Sequence, residues 1–203
     1  MQKIRTLFTD SVREFRSIRT IALCGVFAAM AFLLEQFVIP LPFTRVGFSG
    51  LPNEIVDVLF GPALGSVFSG MLDVFKLILS GSGSWNPGLT FNAFLAGAIY
   101  GVFWYKKPIS FWRILLAKLI VAIFVNVILG TLWLLPYYEK GYFLLLPSRL
   151  IKNLINAPID SIILYFVLYF LNVSGVFRIM NIYIPKKKKK VNTYGKSDHS
   201  AEL

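Results

Sequence analysis

The sequence predicts an all-α integral membrane protein, a bundle of six transmembrane helices with both termini in the cytoplasm. Apolar residues make up 56% of the 203 residues and charged residues only 15%, well below the roughly 25% charged residues of soluble domains. The basic residues cluster between or beyond long apolar runs, and such clusters mark cytoplasmic segments. The net charge of +11 therefore indicates topology rather than nucleic-acid binding, and the lipid bilayer is the expected surrounding.

Three regions follow from this pattern. Residues 1–18 alternate basic and apolar side chains, which predicts an amphipathic helix at the cytoplasmic membrane surface. The six-helix membrane domain is expected over residues 19–180. Residues 181–203 begin with a run of lysines and are expected to form a disordered, basic cytoplasmic tail.

The first span is predicted over Ile21–Ile39, ended by two prolines. The next crossing contains the stretch Arg45–Pro62, which is interrupted by glycines, a proline and two carboxylates, Glu54 and Asp57. Irregular backbone is tolerated at membrane depth only where protein or a water-filled cavity covers it. Charges in such a place face a bundle interior or a pathway more often than lipid. We therefore predict that this stretch forms one wall of a binding cavity.

Four further apolar runs complete the bundle: Ala63–Leu79, Leu89–Tyr105, Ile114–Leu135 and about Leu150–Leu171. The first of them carries Asp73 and Lys76, which are spaced to neutralise each other on one helix face. The uncharged, glycine-rich loop that follows is expected to move, with Trp85 as a closing residue. A ridge of small residues, Ala93, Gly97 and Gly101, lets another helix approach closely.

Polar side chains form two helical stripes, one with Arg149, Asn153, Asn156 and Asp160 and one with Asn126, Gly130 and Trp133. Amides and carboxylates can bond the edges of a ring, aromatic side chains can stack on it, and an arginine can bind a carboxylate with two parallel hydrogen bonds. The stripes predict a site for a planar, polar, anionic molecule. An alternative stays open for each asparagine, which in a membrane helix often bonds only a neighbouring helix.

Several chemistries are excluded by composition. Cys24 is the only cysteine and His199 the only histidine. No internal disulfide, histidine-based metal site or Ser-His nucleophile pair can therefore be built. We predict no catalytic residue, no metal and no cofactor bound by this chain. A P-loop glycine-lysine motif is also lacking, so any ATP must be hydrolysed by another subunit.

Several sequence motifs and residues, by their order along the chain, indicate a family resemblance. They are RVGFSGLP followed by LFGP, then Asp73, NPGLTF with GAIYG, NVILGTLWL, and Arg149 with the later Pro158. Over about residues 19–171 the chain resembles the membrane-embedded substrate-binding (S) components of energy-coupling-factor (ECF) vitamin transporters, the folate group in particular. The resemblance implies a non-enzymatic subunit of the prokaryotic plasma membrane that captures a vitamin from outside. It also implies a transmembrane coupling subunit and two ATPase subunits as partners.

The first helix of such proteins tends to carry an Ala-x-x-x-Ala motif for the coupling subunit. Its nearest equivalents here make Ala22, Gly25 and Ala29 the expected partner interface. The folate group often has two aromatic residues where this loop has Trp85 and Asn86. The ligand is expected to be folate or a reduced folate, and the candidate binding residues are Arg45, Phe48, Glu54, Asp73, Lys76, Trp85, Asn86, Asn92, Asn126, Trp133, Arg149 and Asn153.

Three alternatives stay open. The same fold can bind another vitamin, namely riboflavin, thiamine, pantothenate or a queuosine precursor. An intramembrane enzyme would need facing acids, and the spacing of Glu54 and Asp57 within one helix does not resemble such a dyad. In a structural subunit without a ligand, buried stripes of Arg and Asn would carry a high free-energy cost in the membrane.

Overall fold

The structure is a computed structural model that describes residues 2–40, 45–80, 85–135 and 142–175. Within these residues it is mainly helical. The predicted tail, residues 181–203, lies outside them. The helices are α1 (Gln2–Glu14), α2 (Ile18–Glu35), α3 (Leu51–Phe60), α4 (Pro62–Ser80), α5 (Pro87–Trp104), α6 (Phe111–Ile120), a π-helical stretch (Val121–Leu129) leading directly into α7 (Gly130–Leu134), and α8 (Tyr142–Val173).

Two short strands interrupt the expected all-α fold. The first helix was predicted to run to Ile39, but α2 ends at Glu35 and the chain then forms β1 (Val38–Pro40), which pairs antiparallel with β2 (Arg45–Gly47). The β-branched residues at this point favour extended backbone, and Pro40 lacks the N–H that a continuing helix would use. The prediction of an all-α chain is therefore wrong over this ladder.

The interrupted stretch forms an elbow rather than one continuous helix. Helix α3 has 10 residues and is about 15 Å long at 1.5 Å per residue, half of the ~30 Å hydrocarbon core. Gly61 separates it from α4 with a φ of 86°, a conformation that favours glycine. A Cβ atom at Gly61 would also lie 2.8 Å from the ring of Tyr105.

Within the described ranges, four helices are long and apolar enough to cross a membrane by length and composition: Ile18–Glu35, Pro62–Leu79, Phe111–Leu134 and Arg149–Val173. Their outer surfaces carry large apolar side chains such as Phe124 and Phe166. In water such surfaces would be an aggregation liability, whereas lipid covers them at no cost. The chain is therefore a membrane protein.

Another helix approaches the predicted small-residue ridge at two of its three residues, and that helix is α4. A Cβ atom at Gly97 would lie 2.7 Å from the carbonyl oxygen of Gly65, and one at Gly101 would overlap the backbone of Pro62. Ala93, the third residue of the predicted ridge, instead lines a cavity. The close approach of the two backbones explains why glycine is needed at Gly97 and Gly101.

The last helix begins earlier than predicted. We expected the span to begin at about Leu150, yet α8 starts at Tyr142 and contains both Pro147 and Pro158. Proline is tolerated in membrane helices because neighbouring groups satisfy the freed backbone. The extra turns place Arg149 inside α8 rather than at its start.

The apolar core lies toward the end of the bundle that holds the α5–α6 turn. There Tyr100 stacks on Trp104 with ring centroids 4.4 Å apart. The core combines residues of α3, α4, α5, α6 and α8: Ile55, Val56, Val58, Leu59, Phe60, Leu64, Trp104, Ile114, Ala117, Leu164 and Leu168. The polar cavities described next lie toward the opposite end.

Candidate substrate-binding site

A polar cavity formed by described residues has a volume of about 470 Å³, within the range of ~300–1,000 Å³ typical of ligand pockets. It lies between the C-terminal half of α4, the N-terminal half of α5, the π-helical stretch and the N-terminal half of α8. Five of the predicted binding residues converge here, from four separate parts of the chain. Its lining residues are Asp73, Leu89, Asn92, Ala93, Ala96, Asn126, Gly130, Arg149, Lys152 and Asn153.

A second cavity of about 230 Å³ adjoins the first and shares Asp73 and Leu89 with it. We call the two adjoining cavities together the cleft. The second part brings together three more predicted residues. It is lined by Glu35, Asp73, Lys76, Leu77, Trp85, Asn86 and Leu89.

The cationic wall of the cleft is made by Arg149 and the exposed Lys152. Nη1 of Arg149 donates to the backbone carbonyl of Asn126 at 3.4 Å, and Nδ2 of Asn153 donates to the carbonyl of Arg149 at 2.9 Å. Among the described residues, no carboxylate forms an ion pair with Arg149. Because a guanidinium carries five N–H donors, Arg149 keeps donors for an anionic ligand.

The absence of a side chain at Gly130 leaves room for the side chains of Arg149 and Asn92. A Cβ atom there would lie 3.2 Å from Nη1 of Arg149 and 3.4 Å from Nδ2 of Asn92. Gly130 follows the π-helical stretch, and its N–H donates to the carbonyl of Val125, five residues earlier. Such π-helical turns are frequent at functional sites. Sequence reasoning did not find this one, because nothing in an apolar run marks the change of helical period.

Asp73 is bonded differently from the prediction. Its carboxylate accepts from the hydroxyl of Thr90 at 2.8 Å, while Lys76 forms an ion pair with Glu35 of α2 at 3.3 Å. The expected Asp73–Lys76 pair is therefore wrong. Spacing along one helix cannot reveal a closer partner on another, and here α2 supplies the carboxylate. Sequence reasoning also missed Thr90, which bonds Asp73.

Trp85 and Asn86, which precede α5, are hydrogen-bonded to groups of α5 and α7. Nε1 of Trp85 donates to the hydroxyl of Thr90 at 3.1 Å, although the ring is 55% exposed. Asn86 caps α5 by accepting from the N–H of Gly88 at 3.0 Å, and its Nδ2 donates to the carbonyl of Trp133 at 2.9 Å. The ring of Trp133 lies against Gly88. The part of the predicted mobile loop at residues 81–84 lies outside the described residues.

Phe48 and Glu54 lie away from the cleft, at a separate cavity of about 30 Å³ that Asp160 also lines. Glu54 is held there by Lys118, with Oε1 and Nζ 2.7 Å apart. Sequence reasoning missed Lys118, although a lone lysine inside an apolar run signals a buried cation that needs a partner. The side chain of Arg45 is outside the described part of the chain.

The predicted partner residues are all exposed on α2. Nothing lies within 4 Å of the position that a Cβ atom would take at Gly25. Ala22 and Ala29 share this exposed surface. Gly25 also borders an apolar groove of about 270 Å³ formed with α4. Small residues facing outward leave room for another helix.

Comparison with known proteins identifies the family. The sequence model of the ECF transporter, substrate-specific component, matches residues 19–169. The folate transporter FolT of Clostridium novyi (strain NT) is 36% identical over 124 residues, which cover 61% of this chain and 72% of that protein. The folate transporter FolT of Leuconostoc mesenteroides is 26% identical over 156 residues, covering 74% and 84% of the two chains.

Among solved structures, the chain is similar to that of FolT bound with folic acid. The TM-score is 0.66 at 36% sequence identity, and the match covers 74% of this chain and 93% of the other. The family match spans the helices that form the cleft. The chain belongs to the substrate-specific components of ECF transporters.

Proposed function

We propose that this protein captures folate, or a reduced folate, from outside the cell as the S component of an ECF importer in a prokaryotic plasma membrane. The observation that carries the proposal is the fold shared with FolT, whose structure contains folic acid. On this proposal the chain has no catalytic activity and binds no cofactor. A coupling subunit and two ATPase subunits use the ATP.

The chemistry of the cleft suits such a ligand. Folate joins a flat, donor-rich pterin ring to a glutamate tail with two carboxylates. We assign the tail to Arg149 and Lys152, which stand on the wall that α8 forms. Trp85 offers an exposed ring at the other part of the cleft. Phe48 and Glu54 lie at the separate cavity, and the proposal gives them no contact with the ligand.

The proposed topology keeps six crossings with both termini cytoplasmic. The second crossing then combines the β1–β2 ladder with the short helix α3, because α3 alone spans only about half of the hydrocarbon core. The basic turn at Lys106 and Lys107 lies at the end of the bundle opposite the cleft. Since basic turns are cytoplasmic, this arrangement opens the cleft to the outside.

Titration of the purified protein with folic acid, followed by tryptophan fluorescence, tests the proposal. Arg149→Ala is expected to weaken binding by about 2–5 kcal/mol, because a buried ligand carboxylate is left unpaired. Trp85→Ala is expected to act mainly on the release rate, as a lid residue would. The matched control is Arg113→Ala: Arg113 bonds the carbonyl of Pro108 at 2.8 Å beside the α5–α6 turn, and its loss is expected to leave affinity unchanged.

Two outcomes would contradict the proposal. Unaltered folic acid affinity in Arg149→Ala would remove the argument for an anionic ligand at this wall. Absence of folic acid binding by the unaltered protein, with saturable binding of thiamine or riboflavin, would keep the family and change the vitamin. Thiamine is a cation and would not need Arg149.

A further inference from the structure

Asn92 has a hydrogen-bonding atom that no described group uses. The residue is only 6% exposed, and its Nδ2 donates to the carbonyl of Val125 at 3.2 Å. Its Oδ1 is buried and has no hydrogen-bond partner. A buried acceptor without a partner costs about 1–3 kcal/mol. Because Asn92 lines the larger part of the cleft, a ligand N–H that reached Oδ1 would recover that cost.

The orientation of the Asn92 amide follows from its neighbour. The carbonyl of Val125 can only accept, so the nitrogen of Asn92 must face it and the oxygen must point elsewhere. The same carbonyl also accepts from Gly130 across the π-helical turn, which ties the amide to the wall formed by that turn. The hydrogen bond to Val125 therefore also fixes the position of Oδ1 of Asn92, the acceptor.

In the larger part of the cleft, acceptors and cations stand on different walls. Lys76, the cation of the other part, is paired with Glu35. Asp73 of α4 and Asn92 of α5 present oxygen acceptors, and neither forms an ion pair with a described residue. Arg149 and Lys152 of α8 present cations. A ligand with N–H donors at one end and carboxylates at the other meets complementary groups in one direction only.

We propose that Asn92 is a specificity-determining residue that accepts a hydrogen bond from the 2-amino edge of a pterin and so fixes the direction in which folate binds. The inference rests on the proposed function. The pterin enters between α4 and α5, and the glutamate tail extends toward α8. A ligand that lacks the amino donor leaves Oδ1 of Asn92 unpaired and is discriminated against.

The test is a cycle of two proteins and two ligands, measured by titration. Folic acid and 2-desaminofolic acid are each bound to the unaltered protein and to Asn92→Ala. Removing the amino group is expected to weaken binding to the unaltered protein by about 10- to 100-fold, the range set by one unpaired buried group. In Asn92→Ala, removing the amino group of the ligand is expected to weaken binding by less than about threefold, because the acceptor is already absent.

Ser66→Ala is the matched control. Ser66 donates to the carbonyl of Phe94 at 2.9 Å, so the variant also loses a hydrogen bond between two helices, but outside the cleft. It is expected to discriminate between the two ligands as the unaltered protein does. A merely structural role for Asn92 would lower affinity for both ligands equally.

Two results would overturn the inference. One is an undiminished preference for folic acid in Asn92→Ala, which would place the amino group elsewhere. The other is unaltered folic acid affinity in Asn92→Ala. Absence of folic acid binding by the unaltered protein would instead refute the proposed function, so the two failures are distinguishable.

Discussion

Lys118 and Glu54 form an ion pair inside the helix bundle, with Nζ and Oε1 2.7 Å apart and only 5% and 11% of the two side chains exposed. The desolvation of two buried charges offsets most of their attraction, so such a pair contributes little net stability. Removing one partner is different, because the other charge stays buried and uncompensated. At the scale of the residue, the pair connects α3 to α6. Its effect on stability comes from the buried, unpaired charge that would remain if one partner were removed.

We expect Lys118→Met to destabilise the protein by about 3–5 kcal/mol, measured as a lower unfolding midpoint in detergent. The double variant Lys118→Met with Glu54→Gln is expected to recover most of this loss, because no lone charge remains.

The control is the exposed pair of Lys106 and Asp10, also 2.7 Å apart. The hydrogen bond that Lys106 donates to Asp10 raises the pKa of Lys106, so on raising the pH the pair is lost only above the ordinary lysine value of about 10.4. Lys106→Ala is expected to cost less than about 1 kcal/mol because solvent screens the pair. An equal loss in Lys106→Ala and Lys118→Met would contradict the argument.

At the scale of the element, glycine serves opposite purposes on α5 and α2. Gly97 and Gly101 let α5 approach the backbone of α4, and a side chain at either would overlap its neighbour. Gly25 on α2 faces open space. Within a single sequence the two kinds of glycine look alike, and only the neighbouring helix distinguishes packing from an exposed surface.

This contrast yields a prediction about the coupling partner. Gly25→Leu is expected to leave folic acid binding to the isolated protein intact and to abolish folate uptake by whole cells, because a bulky side chain would hold the partner helix away. Gly101→Leu is expected to lower both, since it disrupts α4–α5 packing.

Binding to the purified variants and uptake of labelled folate by cells that contain the full transporter distinguish these cases. Loss of binding in Gly25→Leu equal to that in Gly101→Leu would assign Gly25 to the core and remove the proposed interface.

At the scale of the whole molecule, the two ends of the bundle differ in chemistry. One end holds the apolar core, the basic α5–α6 turn and the end of α1, where the hydroxyl of Ser11 donates to the carbonyl of Phe60 at 2.6 Å. The other end holds the cleft with Asp73, Asn92 and Arg149. The polar groups of the cleft and the basic turn are therefore separated along the bundle.

The separation predicts which side of the membrane reaches each end. In a Cys24→Ser background, Lys106→Cys is expected to react with a membrane-impermeant thiol reagent only in inside-out vesicles. Lys152→Cys, at the cleft, is expected to react only in intact cells. Labelling of Lys106→Cys from outside would refute the proposed topology.

Much of the fold followed from local features of the sequence. Apolar runs predicted the helices to within a few residues for α4 and α5, because a long apolar helix has its hydrogen bonds within itself and its preferred solvent in the bilayer. Helical periodicity also placed Arg149 and Asn153 on one face, and both line the cleft. These features depend on residues near one another in the chain.

The remainder depended on groups that are distant in sequence. Lys76 pairs with Glu35 rather than Asp73, Glu54 pairs with Lys118, and the carbonyl of Val125 orients Asn92. Spacing rules describe only neighbours three or four residues apart on one helix, whereas a buried charge or amide bonds whichever partner the packing brings closest. The membrane class, the helices and the polar stripes were therefore encoded locally. The pairing of the buried polar groups, and with it the shape of the cleft, arose only when the helices packed together.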